Sequence, residues 1–135
     1  MTILEQPAIN QELQALRVAE LLGLSRQLGD SSKSLCILGE GNTSVAIDDA
    51  HLAVKASGSV LEHLQESDVT ICRSGPVLSA LENRNLTDAE LKELLDSVKV
   101  DTANKKPSIE TLFHAWLLPL PGVNYVGHTH SLAAN

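Results

Sequence analysis

The sequence predicts an α/β fold in which helices cover a β-sheet. Residues 43–55 alternate polar and apolar side chains on both sides of an Asp-Asp turn, which is the pattern of a β-hairpin. Residues 11–28 and 87–98 instead repeat leucines at helical spacing. With 135 residues, of which 43% are apolar, the chain is long enough for one domain with a core.

The first half of the chain is predicted to contain one helix followed by strands. The helix spans residues 11–28, and Gly29 supplies its stop signal. Short apolar or alternating runs then predict strands at residues 35–38, 43–47, 51–55 and 69–72. A glycine-rich loop separates the first two of these strands.

The second half is predicted to contain two helices and a final strand. Thr87 and Glu90 have the spacing of a capping box, in which each side chain accepts a hydrogen bond from a free amide at a helix start. Ser108 is predicted to cap a second helix over residues 109–118, which prolines and a glycine then end. Residues 123–127 predict a strand.

The composition excludes several classes of protein. A net charge of −7 argues against nucleic-acid binding, which needs clustered Lys and Arg to displace phosphate counterions. No apolar run is long enough for a membrane span, and the first residues lack the pattern of a signal peptide. Cys36 and Cys72 lie in apolar runs, so we expect two buried reduced thiols and a cytoplasmic location.

His128 and His130 are the best candidate metal ligands in the sequence. Residues i and i+2 of a strand point to the same face about 7 Å apart, so two imidazoles can converge on one ion. Taken alone, the pair is equally well interpreted as solvated or core histidines. A catalytic zinc usually needs a third protein ligand, and the other histidines are poor candidates. His51 and His63 lie in or near polar surface segments, and His114 lies in the middle of a helix.

Glu110 is a candidate acid/base residue. A glutamate in the first turn of a helix is commonly a partner of the helix dipole, which is the simpler interpretation. However, the helix at 109–118 returns through a Pro-Gly turn into the strand at 123–127, so the two elements run antiparallel. Their lengths are comparable, at about 15 Å and 20 Å. We therefore expect Glu110 to lie on the same side of the domain as the histidine pair.

The loop before the hairpin is a candidate anion site. Glycines leave backbone amides free to surround an anion, and Asn, Thr and Ser add donors, although a plain turn between strands is the alternative. The spacing matches neither a P-loop nor a dinucleotide-binding fingerprint. The residues that supply donors in this segment, and in two others that follow, are Gly41, Asn42, Thr43, Lys55, Ser57, Gly58 and Ser108.

Taken in order, these segments resemble the class II aldolase/adducin family. The closest variety is the aldolase portion of rhamnulose-1-phosphate aldolase/alcohol dehydrogenase proteins. The resemblance runs from about residue 15 to the end. Its motifs are Gly41-Asn42-Thr43-Ser44-Val45, Val54-Lys55-Ala56-Ser57-Gly58, Pro107-Ser108-Ile109-Glu110 with His114 four residues later, and Gly127-His128-Thr129-His130.

The resemblance implies a fold and a set of functional residues. The fold would be a three-layer α/β/α sandwich with a mixed, largely antiparallel sheet, often assembled into tetramers. His128 and His130 would be two of three histidine ligands to zinc, and Glu110 the acid/base residue near the metal. Residues 1–135 would be the N-terminal part of the domain, without the third histidine. The substrate phosphate would be held by Gly41, Asn42, Thr43, Ser57, Gly58 and Ser108.

The function that the resemblance implies is cleavage of a ketose phosphate through an enediolate, whose charge a zinc ion stabilises as a Lewis acid. For a chain that stops soon after His130, we expect weak zinc binding and no measurable aldolase activity. Two alternatives stay open within the family, namely epimerisation of a sugar phosphate and a non-catalytic, adducin-like oligomerisation module. An unrelated His-x-His metal fold is a further alternative. The predicted helices fit a cupin poorly, and an amidohydrolase barrel, which carries such a pair near the start of a long βα repeat, is not tested by the residues after position 130.

One residue departs from the family pattern. Glu40 occupies a position where family members often carry glycine. A carboxylate beside a phosphate pocket would repel the ligand unless it points away.

Overall fold

The computed structural model describes residues 8–36, 40–83 and 85–130. Its helices are α1 Gln11–Leu28, α2 Ser74–Leu81, α3 Asp88–Ser97 and α4 Thr111–Leu117. Its strands are β1 Asn42–Ala46, β2 His51–Lys55, β3 Val69–Arg73 and β4 Tyr125–His128. Short 3₁₀ turns lie at Ser31–Lys33, Leu61–His63 and Glu66–Asp68. Within the described residues, no helix is long and apolar enough to cross a membrane.

The four strands form one sheet in the order β3-β2-β1-β4, and each of these neighbouring pairs is antiparallel. β1 is therefore an inner strand, with Ser44 opposite Val54 of β2 and Val126 of β4. The predicted hairpin and the predicted strand at 69–72 are confirmed. The predicted strand at 35–38 falls partly outside the described residues, and residues 35 and 36 lie in no strand.

Helix α1 covers one face of the sheet. It begins where the Asn10 side chain accepts a hydrogen bond from the amide of Leu13 (3.0 Å), and it ends at Gly29, which matches the predicted bounds. Gly29 packs so closely on the Leu61–Glu62 backbone that a Cβ there would meet the Glu62 nitrogen at 2.3 Å. The inner side of α1 is buried in an aliphatic cluster, which includes Val18, Leu21, Val45, Ala53, Val69 and Ile71.

Helices α2 and α4 cover the opposite face of the sheet. The second aliphatic cluster joins these helices to β2 and β3, and it includes Leu52, Val54, Cys72, Val77, Ala115 and Leu118. Helices therefore lie on both faces, and the predicted α/β class with a three-layer arrangement is confirmed for the described residues. Both cysteines are free thiols; Cys72 is buried, which raises the pKa of its thiol to about 12, whereas Cys36 is only partly buried.

The capping box of α3 forms as predicted. The Thr87 hydroxyl accepts a hydrogen bond from the amide of Glu90 (3.1 Å), whose carboxylate accepts one from the amide of Thr87 (3.3 Å). Helix α2 was not predicted from the sequence, and it begins without a side-chain cap. Its only local start signal is Pro76 in the first turn, a position that a helix tolerates.

Two predictions about single side chains are wrong. Ser108 does not cap α4; the helix begins at Thr111 without a side-chain cap, and the Ser108 hydroxyl instead accepts a hydrogen bond from Nδ2 of Asn42 (2.7 Å). His51 is not a surface residue. Its side chain is buried, and its Nδ1 lies 2.8 Å from the carboxylate of Asp48, which stabilises the turn of the hairpin.

Candidate functional site

Glu110 and His128 are in contact. The turn after α4 brings β4 back alongside the helix, so that the residue just before α4 lies next to the last residue of β4. Oε1 of the Glu110 carboxylate is hydrogen-bonded to Nδ1 of His128. When one ring nitrogen of a histidine is held by a carboxylate, the other nitrogen is left as the lone-pair donor.

His130 lies beside His128. The two ring centres are 4.6 Å apart, and the ring planes are tilted by 54°. Imidazole nitrogens bind zinc at about 2.0–2.1 Å, so two rings on one ion have centres no more than about 6–7 Å apart. The observed separation fits a pair of ligands to one ion. Within residues 8–36, 40–83 and 85–130, no group of three or more His, Cys, Asp or Glu side chains could hold a metal.

Glu40 lies next to His130. An oxygen of its carboxylate is 3.2 Å from Nδ1 of His130, and both side chains are partly exposed. From the sequence, Glu40 was expected only to repel an anion. The pairing was missed because the two residues are 90 positions apart in sequence.

His114 is a further residue of this region, although from the sequence it was considered a poor candidate for a metal ligand. It is fully buried, and its Nδ1 lies 2.5 Å from the Ser44 hydroxyl, while its Nε2 is buried without a hydrogen-bond partner among the described residues. Burial lowers the pKa of His114 to about 4, against an opposing effect of the nearby Glu110 charge. The available signal was its spacing, because residues i and i+4 share one face of a helix.

Phe113 links the buried and the exposed histidines. Its ring stacks on that of His114 with centres 4.5 Å apart, and it meets the ring of His128 edge-on at 5.7 Å. The His128 ring thus contacts both Phe113 and Glu110, and these contacts restrict its orientation.

The candidate anion residues form a second part of the site. Asn42 and Ser108 are hydrogen-bonded, and Oδ1 of Asn42 is buried without a partner among the described residues. The Ser57 amide donates to the carbonyl of Lys106 (3.0 Å), which brings the Ser57-Gly58 turn next to Ser108. Gly58 has a φ of 82°, and a Cβ there would meet nothing within 4 Å, so the turn lies against open space.

Thr43 differs from the other candidate anion residues. Its hydroxyl is buried and lies 2.7 Å from the Ser25 hydroxyl of α1, on the side of β1 away from Asn42 and Ser44. Its side chain therefore does not join Asn42 and Ser108.

Gly41 connects the two parts of the site. Its φ of 103° favours glycine, and a Cβ there would meet the carbonyl oxygen of His128 at 3.0 Å and Sγ of Cys36 at 3.1 Å. Asn42 is paired with His128 in the sheet. The first residue of β1 and the last residue of β4 are thus neighbours, which sets the anion residues beside the histidine pair.

Lys55 is a buried cation at the edge of this region. Its ammonium donates a hydrogen bond to the carbonyl of Ser59, which ties off the turn that carries Ser57 and Gly58. Burial lowers the pKa of Lys55, and the nearby charge of Glu110 opposes that shift.

Comparisons with known proteins identify the family of the chain. A family model described as the Class II Aldolase and Adducin N-terminal domain matches residues 19–135. A protein of Bacillus subtilis (strain 168), named uncharacterized oxidoreductase YuxG, is 29% identical over 121 residues. That match covers 84% of this chain but only 17% of the Bacillus protein.

Solved structures give the same picture. The N-terminal class II aldolase domain of a conserved protein from Thermoplasma acidophilum superposes with a TM-score of 0.74 and 28% identity, covering 98% of this chain and 62% of that one. YgbL from Klebsiella pneumoniae, described as a candidate aldolase/epimerase/decarboxylase, matches with a TM-score of 0.59 and 20% identity, over 88% of this chain and 46% of its own. At that identity YgbL supports the fold alone.

Proposed function

The chain belongs to the class II aldolase and adducin N-terminal domain family, and we propose that it acts in a zinc-dependent lyase that cleaves a small phosphorylated ketose. The observation that carries this proposal is the contact between Glu110 and His128, with the ring of His130 4.6 Å away. A carboxylate next to two imidazoles at the end of a strand suits metal-assisted proton transfer better than a purely structural role.

In this proposal the metal ligands would be His128 and His130, and His128 would bind through the ring nitrogen that Glu110 does not hold. Two neutral imidazoles leave the full positive charge on the ion. When bound, zinc supplies Lewis-acid stabilisation for the negative charge that develops on substrate oxygens as the carbon–carbon bond breaks.

Glu110 is the proposed acid/base group. Breaking the bond leaves an enediolate, which must take up a proton at carbon before the product is released. In this proposal Glu110 accepts the proton of the substrate hydroxyl that becomes the aldehyde carbonyl as the bond breaks. It then donates this proton to the enediolate carbon, which returns Glu110 to the carboxylate form. General acid–base catalysis by a positioned side chain typically contributes about 10²–10⁴-fold to the rate.

The substrate phosphate is proposed to bind next to Asn42, Ser57, Gly58 and Ser108, with the amide of Gly41 as a further donor. The support is the Asn42–Ser108 hydrogen bond and the open space at Gly58. The pairing of Asn42 with His128 sets this pocket beside the histidine pair. An anchored phosphate converts binding energy into orientation of the reacting carbon.

We also propose that the protein is a homo-oligomer, in line with the tetramers that the family resemblance implies. Two large aromatic side chains are exposed in the described residues: Trp116 of α4 is 60% exposed, and Tyr125 of β4 is 36% exposed. Exposed aromatic residues of this size are enriched at protein interfaces.

The experiment is a metal and activity assay on the full-length protein. Purified protein is analysed for zinc, and a panel of ketose phosphates is screened for aldehyde release and for epimerised product. We expect bound zinc and cleavage of at least one substrate. Glu110→Gln should lower kcat by about 10²–10⁴-fold while zinc stays bound. The matched control is His63→Ala, because His63 is exposed on a separate turn and should leave both measurements unchanged.

The other outcomes assign the alternatives. Epimerised product without cleavage would replace the lyase by an epimerase that uses the same proton-transfer group. A stable oligomer with neither zinc nor turnover would identify a non-catalytic module and sink the proposal.

A further inference from the structure

Two carboxylates, and not one, lie next to the histidine pair. Glu110 precedes α4 and contacts Nδ1 of His128, whereas Glu40 lies in the loop before β1 and approaches Nδ1 of His130. The two contacts come from different segments of the chain. Each histidine nevertheless meets its carboxylate through the same ring nitrogen.

This duplication has a chemical consequence. In an imidazole, Nδ1 and Nε2 lie on opposite sides of the ring, so a carboxylate that holds the Nδ1 proton leaves the Nε2 lone pair free on the far side. Most metal-ligating histidines in proteins are held in this way by a second group, which fixes the tautomer and strengthens the ligand. Both rings of the pair would then present Nε2, and their 4.6 Å separation suits one shared ion.

The simpler interpretation of Glu40 is a solvated carboxylate in a loop. Its side chain is 54% exposed, and a solvent-exposed contact of this kind contributes only about 0–1 kcal/mol. The contact would therefore do little for the stability of the fold. Its effect on His130 is different, because the orientation and tautomer of one ring are set by its nearest acceptor.

We infer that Glu40 is a positioning residue of the metal centre, which holds Nδ1 of His130 as Glu110 holds Nδ1 of His128. The inference rests on the proposed function, since it takes the histidine pair as metal ligands. It also changes the interpretation of Glu40 relative to the anion pocket. A carboxylate engaged with His130 faces the cation side of the site, so the negative charge favours the metal.

The test measures zinc binding and the state of the His130 ring separately. Metal-free protein is titrated with zinc against a competing chelator, for the wild type and for Glu40→Gln and Glu40→Ala. Removing an outer partner of a metal ligand typically costs about 10–100-fold in affinity, which we expect for Glu40→Ala. Glu40→Gln keeps an acceptor oxygen, so it should lose less affinity than Glu40→Ala. The matched control is Glu93→Gln, the same change at an exposed position on α3.

A second measurement needs no bound metal. Nitrogen-15 NMR of the imidazole rings in the metal-free protein should report the Nδ1-protonated tautomer of His130 in the wild type and a mixture of tautomers in Glu40→Ala.

A third measurement replaces zinc by Co²⁺, whose absorption spectrum reports its direct ligands. The Co²⁺ absorption spectrum should keep its band shape in Glu40→Gln, because the inner ligands do not change.

The outcomes separate this inference from the proposed function. A wild-type protein that binds no zinc sinks the function and the inference together. Tight zinc binding that Glu40→Ala leaves unchanged overturns the inference alone. An altered Co²⁺ spectrum in Glu40→Gln also overturns it, because Glu40 would then bind the ion directly.

Discussion

The two faces of β1 differ in how completely their side chains are satisfied. Towards α1, Val45 is packed in an aliphatic cluster, and the Thr43 hydroxyl is paired with that of Ser25. Towards α4, the same strand presents Asn42 and Ser44, two buried polar side chains that contact Ser108 and His114. One strand thus contributes to an ordinary core on one side and to the candidate site on the other.

The polar side carries unpaired atoms. Oδ1 of Asn42, Oγ1 of Thr111 and Nε2 of His114 are all buried without a hydrogen-bond partner among the described residues. Buried polar atoms are paired in the large majority of cases, and each unpaired one costs about 1–3 kcal/mol. The β1 side chains that face α1 are therefore packed or paired, whereas the side of β1 towards α4 leaves buried polar atoms that can act on a ligand.

The largest expected effect is on the face of the sheet that packs against α1. Leu21 is fully buried in the α1 cluster, so Leu21→Ala leaves a cavity and should lower the free energy of unfolding by about 2–5 kcal/mol. Urea denaturation measures it. The matched control is Leu16→Ala on the same helix, where the side chain is 55% exposed and the change should stay within about 0.5 kcal/mol. Equal losses at both positions would mean that α1 does not pack on the sheet as described.

The second prediction concerns pH and the polar face. The folded pKa of His114, at about 4, lies below the value of about 6.5 expected for the unfolded chain, so protons bind preferentially to the unfolded state. Its contribution to stability is therefore present above pH 6.5 and is lost progressively as the pH falls to about 4, by on the order of 3 kcal/mol. NMR titration of the ring should show an inflection near pH 4. An inflection near 6.5 would contradict the burial of this residue.

The third prediction compares hydroxyls on the two faces. Ser44→Ala removes the partner of a fully buried imidazole nitrogen, so it should cost about 1–3 kcal/mol of unfolding free energy. Thr43→Val removes a hydroxyl from the other face, but Ser25 keeps its second hydrogen bond, to the carbonyl of Leu21 (2.6 Å). Its cost should therefore stay below about 1 kcal/mol. Denaturation of both variants checks the order, and a larger loss for Thr43→Val would reverse the comparison.

The structure on the α1 side of β1 was predicted from the sequence better than the structure on the α4 side, for a physical reason. The bounds of α1 and the hairpin follow from periodicity and local stop signals, which lie within a few residues of each other. The prediction that Ser108 caps α4 was wrong because its hydroxyl had two possible partners, the helix start and a side chain elsewhere in the chain. The local one was visible in the sequence, and the one that forms, Asn42, lies 66 positions away.

The same reason explains what was missed in the site. The Glu110–His128 contact was foreseeable, because only a helix and a tight turn separate the two residues. The pairing of Glu40 with His130 depends on β4 joining β1 at the sheet edge, which local patterns do not specify. His51 was assigned to the surface because its neighbours are polar. Those neighbours include Asp48, whose carboxylate pairs with the buried His51 ring and offsets the cost of burying it.

The smallest expected effect tests whether the polar face binds an anion at all. A ligand that binds only the folded state stabilises it by RT ln(1 + [L]/Kd), so 10 mM inorganic phosphate with a millimolar Kd should add about 0.5–1.5 kcal/mol. Thermal unfolding in phosphate and in chloride of equal ionic strength measures the difference. Ser108→Ala removes a polar group beside Asn42 and should abolish most of the gain, whereas Ser79→Ala, at an exposed position on α2, should retain it. Equal stabilisation of Ser108→Ala and the wild type would show that phosphate acts elsewhere, and the unpaired atoms of this face would then need a different ligand.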